Sequence, residues 1–333
     1  MLDSLRPDGC RLFRPNHVCV AFAVVSALVM TPPPARAQQK PDAEKLYQQA
    51  RQAMAEGKQD LALKLSGQAV SADSGFAPAW QLRGLLFADR RQHQDAIKAF
   101  STAIELRSDD ADTIDRRGSE YLLQSKFDKA IADFDQAIKL EPVRNRSHWK
   151  RGIACYYAKR YEEGAKQFAL YQTYDDNDVE NSVWRFLCMA KEESVDKARE
   201  ELMPIENDRR VPLMEVFALF RGEVKASSVM NAVSKGKPGA EELKRREFYA
   251  HLYLGLYYDA IGRLAVAQKH LDKAVERKLS GYMWDIAKVH AEYIRSMKES
   301  QSKSVRTAQQ ACRKIDEAFL IETTCGDKDE HNA

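Results

Sequence analysis

The chain has 333 residues, of which 30% are charged and 44% hydrophobic, with 52 Lys and Arg against 49 Asp and Glu. That composition excludes a disordered or low-complexity chain, and a formal charge of +3 exerts no global pull on nucleic acid or anionic membrane. Glycine and proline are sparse, at 15 and 11, while Ala, Leu, Glu, Lys, Arg and Gln prevail, which favours helix throughout.

In chain order, the first 37 residues have the parts of a secretory signal. Arg6, Arg11 and Arg14 make a basic start, and the uncharged run Val18–Met30 is short for a membrane span. Three prolines and Ala35-Arg36-Ala37 then supply a small-residue cleavage pattern. Residues 1–37 are therefore expected to be removed before Gln38, leaving a protein that is soluble and periplasmic. The alternative is a retained N-terminal anchor. Cys10 and Cys19 lie too early for a lipidation site, so no lipid anchor is expected.

Loss of the signal leaves Cys155, Cys188, Cys312 and Cys325, an even number for an oxidising compartment. Two bridges are conceivable, Cys155 to Cys188 and Cys312 to Cys325. The other reading is that they are small buried hydrophobes. None has zinc-ligand spacing.

After a linker at 38–42, the sequence repeats itself with a period of 34 residues. Gly84, Gly118 and Gly152 fall on one ladder. Ala62, Ala96 and Ala130, then Gly164 and Ala198, fall on a second. Phe100, Phe134 and Phe168 form a third, and Ala69, Ala103 and Ala137 a fourth. Within each period the apolar residues recur at three- and four-residue steps, the pattern of amphipathic helices. This closely resembles the tetratricopeptide repeat (TPR), above all over Trp80–Ala103 and Gly118–Pro142. In such a unit, small residues let two helices approach while large ones fill the gap to the next hairpin, since one hairpin cannot bury its apolar face alone.

The predicted fold is an all-α TPR solenoid. Four hairpins are expected over 43–178, at about 43–76, 77–110, 111–144 and 145–178. The first is degenerate, with Ala50 and Ser66 in the glycine and aromatic places. A drifted repeat, with Phe186 in the glycine place, and an irregular helical segment follow over 179–247, where Pro204, Pro212 and Lys235–Gly239 break the pattern. One repeat returns over 248–281 (Gly255, Tyr258, Ala267, Leu271, Ala274). Capping helices are predicted at Tyr282–Met297 and Ser304–Ile321 within 282–321, and a polar, fraying tail at 322–333.

The order of parts resembles the NlpI-type TPR lipoproteins of Gram-negative envelopes. Arg151–Tyr157, Asp175–Asp178 with Trp184, and His251–Tyr258 carry that likeness. It implies a homodimeric adaptor that brings cell-wall hydrolases and a periplasmic protease together, although the lipobox of that family is missing.

First helices of successive hairpins line the concave face of a solenoid. Those positions are Tyr47, Arg51, Gln81, Leu85, Asp115, Ser119, Leu122, Trp149, Ile153, Tyr156 and Tyr157. The aromatic group Trp149–Tyr157 is the candidate peptide contact, because rigid aromatics anchor partners at little entropic cost. The competing reading has residues 179–247 packing there and making these aromatics core. The lysines and asparagines that clamp chaperone tails are absent from these positions. The basic pairs Arg90-Arg91, Arg116-Arg117 and Arg209-Arg210 sit beside acidic residues, and no nucleic-acid partner is expected.

No nucleophile elbow, phosphate loop, dinucleotide fingerprint or H-E-x-x-H helix occurs, so neither enzyme activity nor a cofactor or metal is expected. Two functions remain: a protein-binding adaptor for envelope hydrolases or proteases, and a structural part of an envelope secretion, assembly or polysaccharide-export machine.

Overall fold

The computed structural model describes residues 42–325, with the side chains of 308 and 311–325 left out. The signal sequence and the last eight residues lie outside the described residues. Every described element is helical, and among the described residues no helix is long and apolar enough to cross a membrane.

Four hairpins open the fold. They are α1 (Ala43–Ala55) with α2 (Gln59–Ala72), α3 (Ala77–Asp89) with α4 (His93–Leu106), α5 (Ala111–Leu123) with α6 (Phe127–Leu140), and α7 (Trp149–Tyr157) with α8 (Tyr161–Tyr171). A 3-10 turn at Pro142–Ser147 joins the third to the fourth. Side-chain oxygens start two of the four first helices: Asp42 accepts from Glu44 and Lys45, and Asp110 from Thr113, so orphan N–H groups are satisfied.

The glycine ladder sets the distance between paired helices. A methyl group added at Gly84 would meet the Phe100 ring at 2.5 Å, at Gly118 the Phe134 ring at 2.8 Å, and at Gly152 the Phe168 ring at 2.6 Å. In the returning repeat Leu271 takes the place of the phenylalanine, 2.7 Å from such an atom on Gly255.

Another ladder lies in the turns. Gly57, Arg91, Ser125 and Lys159 are 34 residues apart and all have left-handed backbone, with φ of 73°, 55°, 55° and 60°. Three of the four carry a side chain where glycine would be unstrained.

After α8 the regular pairing loosens. Phe186 of α9 (Val179–Glu192) stands in the glycine place and packs edge-on to Phe220 at 5.0 Å. The partner of α9 is consequently divided between α10 (Val195–Glu200) and α11 (Leu213–Arg221), which the proline-bearing segment 201–212 separates. Then follow α12 (Ala226–Ala232), the pair α13 (Ala240–Ala260) and α14 (Leu264–Glu276), and α15.

The two capping helices expected at the end are one helix. α15 runs from Tyr282 to Cys325, 44 residues without glycine or proline. Across the anticipated break, Ser300 and Ser304 donate to the carbonyls of Ser296 and Ser300, and Thr307 to that of Lys303, so the serines serve the helix instead of ending it.

One continuous core extends from Leu122 and Phe134 through α7, α9, α11 and α13 to Ile294 of α15. The first hairpin closes a smaller core of its own, with Ala50, Ala53 and Ala62 against Leu82 and Leu86 of α3.

Candidate protein-binding face

The concave face of the middle hairpins is occupied by the chain's own C-terminal helix. The Tyr282 hydroxyl donates to the Ser119 carbonyl at 3.4 Å, and its ring meets Trp149 edge-on at 5.5 Å, with the Lys150 ammonium 5.3 Å from its centre. Further along, Asp285 accepts from Arg91 Nε at 2.8 Å, and the same guanidinium lies 4.9 Å from the centre of the Trp284 ring. The left-handed turn at Arg91 thus presents the side chain that clasps α15. His290 then stands 3.0 Å, Nδ1 to oxygen, from the Tyr157 hydroxyl, and Tyr293 packs edge-on to Tyr157 at 5.3 Å.

These contacts place each residue expected on the face. Ile153, Tyr156 and Tyr157 are buried and offer no surface to a partner. Leu122 and Ser119 are buried as well. Trp149, half-buried, lies against Tyr282. The filling of the face differs from the one expected from residues 179–247: α9 contributes Trp184, 5.6 Å from Tyr156, but α13 and α15 supply the rest through Asp259, His290 and Tyr293. On the first two hairpins the face is more open. Arg51 is exposed and lies over Tyr47 at 5.7 Å, while Gln81 and Leu85 are half-buried, Gln81 reaching Asp110 at 3.4 Å.

Asp115 is held in the floor of the face. Burial alone would raise its carboxyl, but His148 at 2.7 Å and Lys150 at 3.4 Å outweigh that and lower its pKa to about 2. Sequence reasoning missed Asp259, the most enclosed carboxylate on this side. It accepts from the Tyr156 hydroxyl at 2.5 Å and from Lys191 at 2.9 Å, with His290 Nε2 3.2 Å away. These neighbours overcome burial and hold it well below the usual carboxylate range. A single aspartate near a helix end carries no spacing signal that could have marked it.

A second polar cluster closes the end of α9. Arg210 reaches three carboxylates: Asp178 at 2.7 Å, Glu180 at 2.5 Å and Asp208 at 2.6 Å. Glu180 also accepts from the Tyr253 hydroxyl. Burial pushes the Glu180 carboxyl up to about 7 against the pull of Arg210. Among the described residues no group of three or more His, Cys, Asp or Glu side chains is placed to hold a metal ion.

Cys155 and Cys188 are free, buried thiols on either side of Gly164, with no bridge between them. Burial raises Cys155 to about 11 and Cys188 well above the usual thiol value. The side chains of Cys312 and Cys325 lie outside the described residues. Both stand on α15, where their 13-residue spacing separates the backbones by roughly 20 Å, beyond the reach of a bridge within the chain. Of the basic pairs, Arg90 bridges to Asp60 at 2.6 Å, Arg91 to Asp285, Arg117 to Asp133 at 2.7 Å, and Arg210 to its three carboxylates.

Paired helices at a 34-residue period, a glycine–phenylalanine contact within three successive pairs, and a helix seated along the first helices define a repeat scaffold for holding polypeptide. Models of the tetratricopeptide repeat match residues 77–110 and 116–178, and the chain is a TPR protein. A tetratricopeptide repeat protein from Parabacteroides merdae has a similar fold, with a TM-score of 0.51 and 14% identity over 76% of this chain and 98% of that one. YrrB, a TPR protein with an unusual peptide-binding site, aligns at a TM-score of 0.48 and 16% identity, over 58% of this chain and 93% of that one. MamA aligns at 0.45 and 16%, over 47% and 86%.

Proposed function

We propose that the protein is an exported adaptor of the bacterial cell envelope that docks a cell-wall hydrolase or a periplasmic protease. The observation that carries the reading is the seat of α15: Tyr282, Trp284 and Asp285 engage Trp149, Arg91 and Lys150 as a bound helix would. The face already holds one amphipathic helix, and its open end at Tyr47, Arg51, Gln81 and Leu85 continues the same surface toward the N-terminus. The envelope assignment is supported by the signal-like N-terminus and by the NlpI-type order of parts, and that order of parts alone supports a homodimeric state.

The test is in-cell crosslinking and pull-down of the full chain beside a Tyr47→Ala/Leu85→Ala variant, both checked for equal helicity and melting. Tyr156 and Tyr157 are unsuitable for this test, because both are buried and their truncation would disrupt the core. The adaptor reading expects a hydrolase or protease with the parent and not with the variant, and a mature N-terminus at Gln38. Recovery of export- or assembly-machine components alone would replace it with the structural role. Partners that ignore the variant would move the docking surface away from the first hairpins.

A further inference from the structure

A cavity of about 200 Å³ lies among α7, α8, α9 and the first turn of α15. It is smaller than the roughly 300–1,000 Å³ of ordinary cofactor and drug-sized sites, so it suits one side chain or a small amine. Aromatic walls come from Trp149, Tyr171 and Trp184, and Met283 contributes from α15. The polar lining is Asp178, Glu180 and Asn181.

Two polar atoms of this lining have no partner among the described residues. Asn181 and Trp184 are each 2% exposed, yet the Asn181 Oδ1 and the Trp184 Nε1 make no hydrogen bond. The Asn181 Nδ2 donates to the Phe168 carbonyl at 3.0 Å, which fixes Oδ1 as the free end. Buried groups left in this state are rare in folded proteins. An acceptor without a donor therefore stands beside two carboxylates, and a donor without an acceptor stands close by.

Charge decides which occupant fits. Asp178, Glu180 and Asp208 share the single guanidinium of Arg210, and the exposed Asp175 and Asp176 precede them. The cluster is short of positive charge: three carboxylates face one guanidinium, and the Glu180 carboxyl is raised first by burial and further by Asp178 and Asp208. A cation carrying N–H donors would satisfy Asn181 and relieve the carboxylates, while aromatic faces attract a cation through their quadrupoles. A neutral donor would satisfy Asn181 but leave the carboxylates short of charge, and an anionic guest would add to their repulsion. A guest that also carries an acceptor, such as a peptide carbonyl, could in addition take up the Trp184 N–H.

We propose that this cavity is a binding pocket for one ammonium or guanidinium group, carried by a lysine or arginine of a docked peptide or by a free amine. The assignment goes beyond the adaptor reading and stands without it, because a free amine serves equally.

The experiment is a titration of the full chain, with its tryptophan indoles labelled with ¹⁵N, followed by NMR. The Trp184 resonance is assigned with Trp184→Phe. The probes are N-acetyl-lysine methylamide, N-acetyl-arginine methylamide and agmatine, with the norleucine and citrulline methylamides as neutral counterparts. The cationic probes should shift the Trp184 indole and bind at least about tenfold more tightly than their neutral counterparts. Glu180→Gln, which keeps shape and the Tyr253 contact, should weaken the cations about tenfold and leave norleucine unchanged. If that variant melts early, Trp149→Leu serves instead and should weaken the cations by a fewfold. Tighter binding of the blocked amino acids than of agmatine assigns a peptide source, and the reverse assigns a free amine. Equal binding of neutral probes, or no response to any cation at millimolar concentration, overturns the pocket. Because the probes are small, this result is independent of whether a protein partner is ever captured.

Discussion

The phenol of Tyr156 donates a 2.5 Å hydrogen bond to Asp259, 103 residues later in the chain, and both side chains are fully enclosed. That bond ties the fourth hairpin to the returning repeat, and Lys191 of α9 neutralises the carboxylate from a third direction. Replacing Asp259 by Asn leaves Lys191 without its counter-charge in a closed site. We expect Asp259→Asn to lose about 2–4 kcal/mol in urea unfolding, and Tyr156→Phe only about 1 kcal/mol. Asp272→Asn, which removes the exposed bridge to Arg295, should stay within about 0.5 kcal/mol. A loss at Asp259 no larger than at Asp272 would refute the network's structural role.

The glycine–aromatic contacts make a sharper claim. Alanine is the better helix former, by about 1 kcal/mol over glycine, so Gly152→Ala in an open helix would stabilise. Here its methyl group would lie 2.6 Å from the buried Phe168 ring. We expect a net loss of about 1–3 kcal/mol, read as a lower melting temperature. In a Phe168→Ala background the same Gly152→Ala change should cost much less, because the ring that crowds the methyl is gone. A rise in melting temperature for the single variant would show that the helices can move apart freely.

Two buried groups give opposite pH trends. Burial, with His270, Lys273 and Arg277, lowers the His251 imidazole to about 4. Its folded value lies below the ordinary 6.5, so stability present above pH 6.5 is lost as pH falls toward 4. Glu180, raised from 4.5 to about 7, contributes stability that is complete below pH 4.5 and lost as pH rises toward 7. Between pH 4.5 and 6.5 the two slopes oppose each other. Glu180→Gln should therefore make melting fall more steeply with acid in that window, by up to about 1.4 kcal/mol per pH unit, and His251→Gln should reverse the sign. Below pH 3.8 the Asp115 carboxylate adds a further loss in every variant. Parallel profiles for wild type and both variants would disprove this assignment.

Arg91 holds a left-handed backbone that costs roughly 1–2 kcal/mol in a residue with a side chain. Its guanidinium returns a salt bridge to Asp285 and a stack on Trp284. Arg91→Gly would remove the clasp and the strain together, and Arg91→Ala the clasp alone. Hydrogen exchange over residues 282–297 should speed up about tenfold in both, while global stability falls in the alanine variant only. Unchanged exchange would mean that α15 is seated by Tyr282 and Tyr293 without help from Arg91.

The helical hairpins could be read from the sequence because their signals are local. The Gly84, Phe100 and Ala96 ladders record contacts within one hairpin or with its neighbour, and those contacts repeat with the period. The seat of α15 has no such record, since Arg91 and Asp285 meet across 194 residues. The aromatic group at Trp149–Tyr157 was visible as a choice between recognition and packing. Its placement rests on Asp259, His290 and Tyr293, which no repeat position marks. The pocket beside Glu180 was equally hidden, because an unpartnered Asn181 or Trp184 becomes apparent only once neighbours are fixed in space. The expected break before Ser304 is absent, because Ser300 and Ser304 turn back onto their own helix.

A stack of repeats ordinarily behaves as a row of tiles, each answering only to the next, so that an end can peel away while the middle stands. By returning from the last repeat to the turn after α3, α15 converts most of that row into a closed circuit. Loss of any hairpin from α5 onward opens the circuit and unseats the helix that the others share. Those parts should melt in one step, with a steep denaturant dependence. The hairpin α1–α2, which keeps a separate small core with α3 and lies outside the circuit, is left as the one segment at that end able to fray alone.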